Sequence, residues 1–365
     1  MPDKAAFMPA LCMGFVLGQS VGAAAADIDT SLGGFVKLEY GAFDRAISSS
    51  GSVISSSGAM SSSATEGALL DGEIHLELSG ETDTGISYGG RLQLLPAAKP
   101  RDNGSFVQAG WAWGEFRLGD YGGAAKEMMI SAPTIGIGQI DGDLDRFGGP
   151  SALIAPYGLN NDDSTKLTYL SPVLFGLRAG LSFTPELSGG GVELVPMPHV
   201  DGIDRHRDVT EFAISAARDV GDATVTAAGV YVVGDATAAS HLHGLNGGGL
   251  GAKLVWDALT IGGGFVYDGA GTLPPDHRPG HVLLDRIVSE FNFGASYQLG
   301  RWKLGASWAH DYRKAEASND IWAAGVDYRI VDGLTVAADL MRFTKPRGAG
   351  LAVGDALFLE TALHF

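Results

Sequence analysis

The 365-residue chain has a single cysteine, Cys12, so no disulfide within it can staple the fold. Charge is scarce at 18%, and bases are the scarcer sign, with 25 Lys and Arg against 42 Asp and Glu and a formal net charge of −17. A nucleic-acid binder needs a basic face, so that class is excluded. Long apolar runs are missing as well. After residue 26 no stretch reaches the ~18 uninterrupted apolar residues of a spanning helix, which excludes a helical membrane protein. Proline is sparse at 15 residues, and the 54 glycines follow no three-residue period, so the chain is not collagen-like. An apolar share of 45% excludes disorder.

What is present begins with a leader. Lys4 gives a weakly positive start, an apolar run follows from Ala5 to Val16, and Gly22 to Ala26 are small. That order predicts a secretory signal peptide over residues 1–26, cleaved ahead of Asp27. Cys12 lies inside it, after Leu11 rather than the small residue a lipidation site needs. The mature chain therefore has no thiol chemistry.

The remainder alternates with period two. In Glu73 to Ser79, Ile74, Leu76 and Leu78 share one face while Glu73, His75, Glu77 and Ser79 share the other. The same pattern runs through Ile86–Leu95, Glu290–Tyr297, Trp302–Trp308 and Trp322–Tyr328. Such alternation marks strands lying between two different solvents. Sixteen candidates fall near 33–43, 71–79, 86–95, 103–112, 115–120, 165–171, 177–184, 209–218, 223–233, 249–256, 259–268, 288–298, 302–310, 320–329, 334–343 and 355–365.

A soluble sandwich would also alternate, but three features favour a transmembrane barrel. The strand count is even, as closure of a bacterial outer-membrane barrel requires. Short links (Gly80–Gly85, Trp113-Gly114, Pro172–Gly176, Asp219–Asp222, Asp257-Ala258, Leu299–Arg301, Ile330–Gly333) alternate with links of about nine to forty-five residues. Strand charges sit opposite the Leu, Phe, Trp and Tyr positions. Tyr40, Tyr88, Tyr169, Tyr267, Tyr297, Trp302, Trp322 and Tyr328 fall near strand ends on the apolar face, where amphipathic rings meet headgroups. The expected fold is all-β, a transmembrane antiparallel barrel of 16 strands over residues 27–365, in the cell outer membrane among lipid and lipopolysaccharide.

The chain also resembles a family. Its last strand, Leu357 to Phe365, ends in phenylalanine, like the terminal signature of outer-membrane barrels. Tyr169-Leu170-Ser171-Pro172, Phe175-Gly176-Leu177 and Ala179-Gly180-Leu181-Ser182-Phe183 together resemble a turn of Gram-negative general porins. Glu81 to Gly85 and Arg117 to Asp120 are similar to the second turn and to the approach to the third loop in alphaproteobacterial porins. The resemblance implies a homotrimer, with the third loop of each barrel, residues 121–163, folded into its pore. The Ser-rich first loop, Ser48 to Ser63, departs from the family pattern.

By that resemblance the loop narrows the channel. It sets acids Glu127, Asp141, Asp143 and Asp145 across from a basic wall for which parity offers Lys37, Arg91, Arg117 and Arg178. Inward charges must face water, because one on the lipid face costs about 2–4 kcal/mol at the midplane. Acids outnumber bases on the inward face, and carboxylate rows favour cations. The reading is a passive, weakly cation-selective channel for small hydrophilic solutes and ions.

Competing motifs are weaker. Gly85-Ile86-Ser87-Tyr88-Gly89 matches a nucleophile elbow in letters, but it opens a strand rather than a helix, so no catalytic residue is assigned and no enzyme is expected. Asp141-Gly142-Asp143-Leu144-Asp145 resembles the start of a calcium loop. Arg146 and Ala152 occupy the positions of the required glycine and bidentate acid, so an EF-hand is rejected. No cofactor is expected, and only a loosely bound calcium among the loop acids stays open. His241, His243, His277 and His281 show no zinc spacing. A solute-specific channel would carry an aromatic slide, and few inward aromatics are visible. An adhesin, suggested by the Ser-rich loop, and a barrel enzyme remain alternatives.

Overall fold

The computed structural model describes residues 28–43, 66–94, 104–136, 138, 140, 147, 164–187, 206–236, 244–268, 288–313, 318–347 and 350–365. The expected leader, the Ser-rich loop, the four histidines named above and Asp141, Asp143 and Asp145 lie outside the described residues.

Sixteen strands form a single sheet: β1 (Asp29–Phe43), β2 (Glu66–Glu81), β3 (Ser87–Leu94), β4 (Ser105–Trp111), β5 (Gly114–Asp120), β6 (Thr165–Leu170), β7 (Leu177–Glu186), β8 (His206–Val220), β9 (Ala223–Ala236), β10 (Leu245–Trp256), β11 (Leu259–Asp268), β12 (Val288–Leu299), β13 (Trp302–Arg313), β14 (Asn319–Val331), β15 (Leu334–Arg347) and β16 (Gly350–His364). Each pairs antiparallel with its sequence neighbours, and β1 pairs with β16 to close the barrel. Closure leaves no open sheet edge, as a span through lipid demands. At the seam the Phe365 N–H donates to the Gly34 carbonyl at 3.1 Å, and the Gly34 N–H donates back at 3.0 Å.

The two faces are inverted relative to a soluble protein. Outward Leu70, Leu250 and Leu340 are 72%, 65% and 65% exposed, whereas inward Phe358 is fully buried. A continuous bare apolar surface of this kind is foreign to a protein in water but matches the lipid band of a membrane barrel. Rings gather at strand ends. Trp111 and Trp113 stack at 5.3 Å beside Phe116 and Tyr169, and the Tyr169 hydroxyl donates to the Trp113 carbonyl at 2.6 Å. Further round, Trp302 and Tyr328 meet at 4.4 Å across β13 and β14.

At the tight-turn end, Gly300 and Gly333 adopt φ of 58° and 85°, a left-handed conformation that costs glycine little, so the chain reverses within two residues. At the other end two links are shorter than the sequence pattern suggests. The β13–β14 link spans 314–318 and the β15–β16 link only 348–349, because pairing continues through Thr344↔Val353 to Arg347↔Gly350. Ladder hydrogen bonds do not depend on side-chain polarity, so these strands outrun the apolar alternation that marks their membrane portion. Just before this extension, within the strands the alternation marks, a charged pair stands on the outer face, with Arg342 Nε 3.5 Å from Asp355.

Candidate functional site: the lumen and the β5–β6 link

Between β5 and β6 the chain makes its longest excursion, from Tyr121 to Ser164. Its described residues lie against inward-facing side chains of the barrel. A short helix, α1 (Ala124–Met128), buries Ala124, Ala125 and Met128 among Leu170, Val209, Ala213, Val230 and Val232. Its first N–H groups, which have no partner within the helix, are met by the wall. Ala124 N–H donates to Ser182 Oγ at 2.7 Å, and Ala125 N–H to Glu211 Oε2 at 2.9 Å.

Beyond α1 the link crosses a patch of glycines. A Cβ built on Gly249, Gly251, Gly264 or Gly305 would run into Met129, Ile130, Ile130 and Ile135 respectively. Polar tethers then repeat along the wall. Ala132 N–H donates to Asn292 Oδ1 at 2.8 Å, Lys303 Nζ to the Thr134 carbonyl at 2.8 Å, and Gly136 N–H to Asp327 Oδ1 at 2.8 Å. Ile140 and Phe147 finish in an apolar cluster with Leu69, Met341, Phe343 and Phe358, against which Phe43 packs. The described link thus follows the inner wall from β6 through β15 to the β16–β1–β2 side.

The wall over β1–β5 is polar. Lys37 Nζ lies 3.1 Å from Glu39 Oε1, and Arg91 Nη2 lies 2.7 Å from Glu77 Oε1. Arg117 pairs with Glu115 on its own strand and reaches Glu127 Oε2 on α1 at 3.0 Å, its guanidinium 5.4 Å from the centre of the Phe106 ring. His75 Nε2 and Glu73 Oε2 add a further contact at 3.0 Å. Tyr121, at the start of the link, is buried, and desolvation pushes its phenol above the ordinary tyrosine range. Among the described residues no group of three His, Cys, Asp or Glu side chains could hold a metal ion.

The chain matches the family described as Gram-negative porin over residues 15–347. It belongs to that family. This porin is an outer-membrane channel for passive diffusion, crossing the membrane with its strands. No curated sequence matches it. Solved structures share the fold at low identity. A porin refined at 1.8 Å resolution is 14% identical, with TM-score 0.63, covering 92% of this chain and 100% of its own. The anion-selective porin of Comamonas acidovorans is 12% identical, with TM-score 0.61 and coverage of 93% and 100%. OmpT of Vibrio cholerae, in its trimer form, is 9% identical, with TM-score 0.60 and coverage of 93% and 99%.

Of the basic residues chosen from the porin's sequence, Lys37, Arg91 and Arg117 stand on alternate strands of one wall, and Arg117 meets the chosen acid Glu127. Arg178 does not join them. It lies near the tight-turn start of β7, whose next inward positions, Gly180 and Ser182, are covered by α1. Inward aromatics are more numerous than the alternation suggested. Phe43, Phe147 and Phe358 meet at 5.2 to 6.0 Å, but Phe147 and Phe358 are buried between link and wall rather than spread as a slide.

Sequence reasoning missed the anchors Ser182, Glu211, Asn292, Lys303 and Asp327, which parity marks only as inward. The available signal was glycine. Gly247-Gly248-Gly249-Leu250-Gly251 and Gly262-Gly263-Gly264 weaken two strands, which is tolerated where another backbone approaches closely.

Proposed function

We propose that this porin is a homotrimeric, weakly cation-selective diffusion channel for small hydrophilic solutes, with the β5–β6 link as its constriction. The observation that carries the reading is the Arg117–Glu127 contact, which sets an acid of the link against the polar β1–β5 wall. Along that wall Asp71, Glu73, Glu77 and Glu115 outnumber Lys37, Arg91 and Arg117, and Glu127 adds a further carboxylate. Paired acids and bases there form local dipoles that orient polar solutes, while the excess of carboxylate attracts cations. The trimer is supported by family membership and by OmpT of Vibrio cholerae, described in a trimer form. The fold itself leaves the ion preference open, since the Comamonas acidovorans porin shares it and is anion-selective.

The test is planar-bilayer recording across a potassium chloride gradient. Current steps in groups of three with a cation-side reversal potential support the proposal. An anion-side reversal potential overturns the charge assignment, and steps that are always single overturn the trimer.

A further inference from the structure

The β5–β6 link leaves and rejoins the sheet at adjacent points, because Asp120 pairs with Thr165 and Gly119 with Lys166. At this root stands Lys166, an inward residue of β6 with no exposed surface. Its Nζ donates to the Tyr121 carbonyl at 2.5 Å and to the Ser164 carbonyl at 2.8 Å, and lies 5.9 Å from the centre of the Tyr121 ring. Tyr121 is the first residue of the link and Ser164 the last. One ammonium therefore holds both ends. Taking an ammonium out of water is costly unless its protons find good acceptors, so an inward lysine placed merely to hydrate the lumen would not be sealed from it. Two residues earlier on β5, Arg117 reaches Glu127 on α1, so root and first helical turn are gripped from neighbouring strands.

We propose that Lys166 is the positioning residue of the constriction: it touches no permeating solute and sets where the link sits. The inference rests on the reading of the link as the constriction. Removing the ammonium leaves the Tyr121 and Ser164 carbonyls without this donor and frees the root to shift, while the sixteen-strand ladder is untouched.

The experiment compares wild type with Lys166→Met in a planar bilayer, with heat-modifiable mobility on gels as the measure of folding. The expected result is a folded variant whose open-channel current is noisier, whose closing voltage is lower and whose conductance is shifted from wild type. A folded variant with wild-type noise, closing voltage and conductance overturns the proposal. Should Lys166→Met fail to fold, Lys166→Gln takes its place, since its shorter neutral amide can serve only part of the root. Failure of both to fold also overturns the proposal, because it assigns Lys166 to barrel assembly. A wild-type protein that does not conduct sinks the channel reading itself, a result distinct from all of these.

Discussion

The carbonyl of Ile130 rests on Gly251, so closely that a Cβ on that glycine would overlap the oxygen. Gly264, directly opposite Gly251 across β10 and β11, meets the same carbonyl, 2.6 Å from where its own Cβ would be. A cross-strand pair without side chains thus makes a seat for the backbone of the link. The obstructing atom is a main-chain carbonyl rather than the far end of a side chain, so the clash cannot be relieved by a rotamer change.

Gly251→Ala should therefore push the link off the wall and into the lumen. Overpacking of this kind costs about 1–3 kcal/mol, too little to unfold a closed barrel. The folded fraction should match wild type while single-channel conductance falls. Unchanged conductance in a folded Gly251→Ala protein would show that the link does not restrict flow.

Glu127→Gln removes one carboxylate from the lumen and leaves Arg117 with Glu115 alone. The reversal potential across a salt gradient should move toward the anion side. Arg117→Gln should move it the opposite way. Both shifts should be larger at 0.1 M salt, where the Debye length is about 10 Å, than at 1 M, where it is about 3 Å. Shifts of the same sign in the two variants would contradict the placement of this pair at the constriction.

Tyr121 carries a pH prediction. Burial raises its folded value above the ordinary phenol value of about 10, so its contribution to stability is complete below that pH. The contribution is lost as pH rises from there through the folded value. Difference titration by tyrosinate absorbance, wild type minus Tyr121→Phe, should show one phenol that ionises later than a free tyrosine. The fold of Tyr121→Phe should lose less stability above pH 10 than wild type does. A difference curve centred at the free-tyrosine value would refute the buried placement.

Deleting Phe365 removes the terminal residue that exchanges two backbone hydrogen bonds with Gly34. Each is worth about 0.5–1.5 kcal/mol net. The heat-modifiable folded band should weaken on refolding, while channels that do form should conduct like wild type. An unaltered refolding yield would mean that the remaining β1–β16 ladder suffices for closure.

The recurrence of Leu, Phe and Tyr at every second residue was enough, without any structure, to give sixteen strands and an inverted barrel. It works because a strand has only two faces and lipid tolerates apolar side chains on one of them. The same rule under-measured β15 and β16, where pairing runs past the apolar band. It read Lys37, Arg91, Arg117 and Arg178 as inward, yet could not say that the last lies on the strand carrying α1.

Which inward groups border the lumen and which lie beneath the link was fixed by packing in three dimensions. Period two names a face but is silent on what covers it. Gly136 and Asp327 are joined by one hydrogen bond across 191 residues of sequence, and Lys166 gathers the two ends of a link that begins 45 residues before it. No local pattern encodes such pairings, because they arise where the closed barrel brings distant strands around a common interior. Local alternation alone specified a membrane barrel with a charged interior. The path of one chain segment inside it, seated on glycines and held by buried donors and acceptors, was decided by the three-dimensional closure of the sheet.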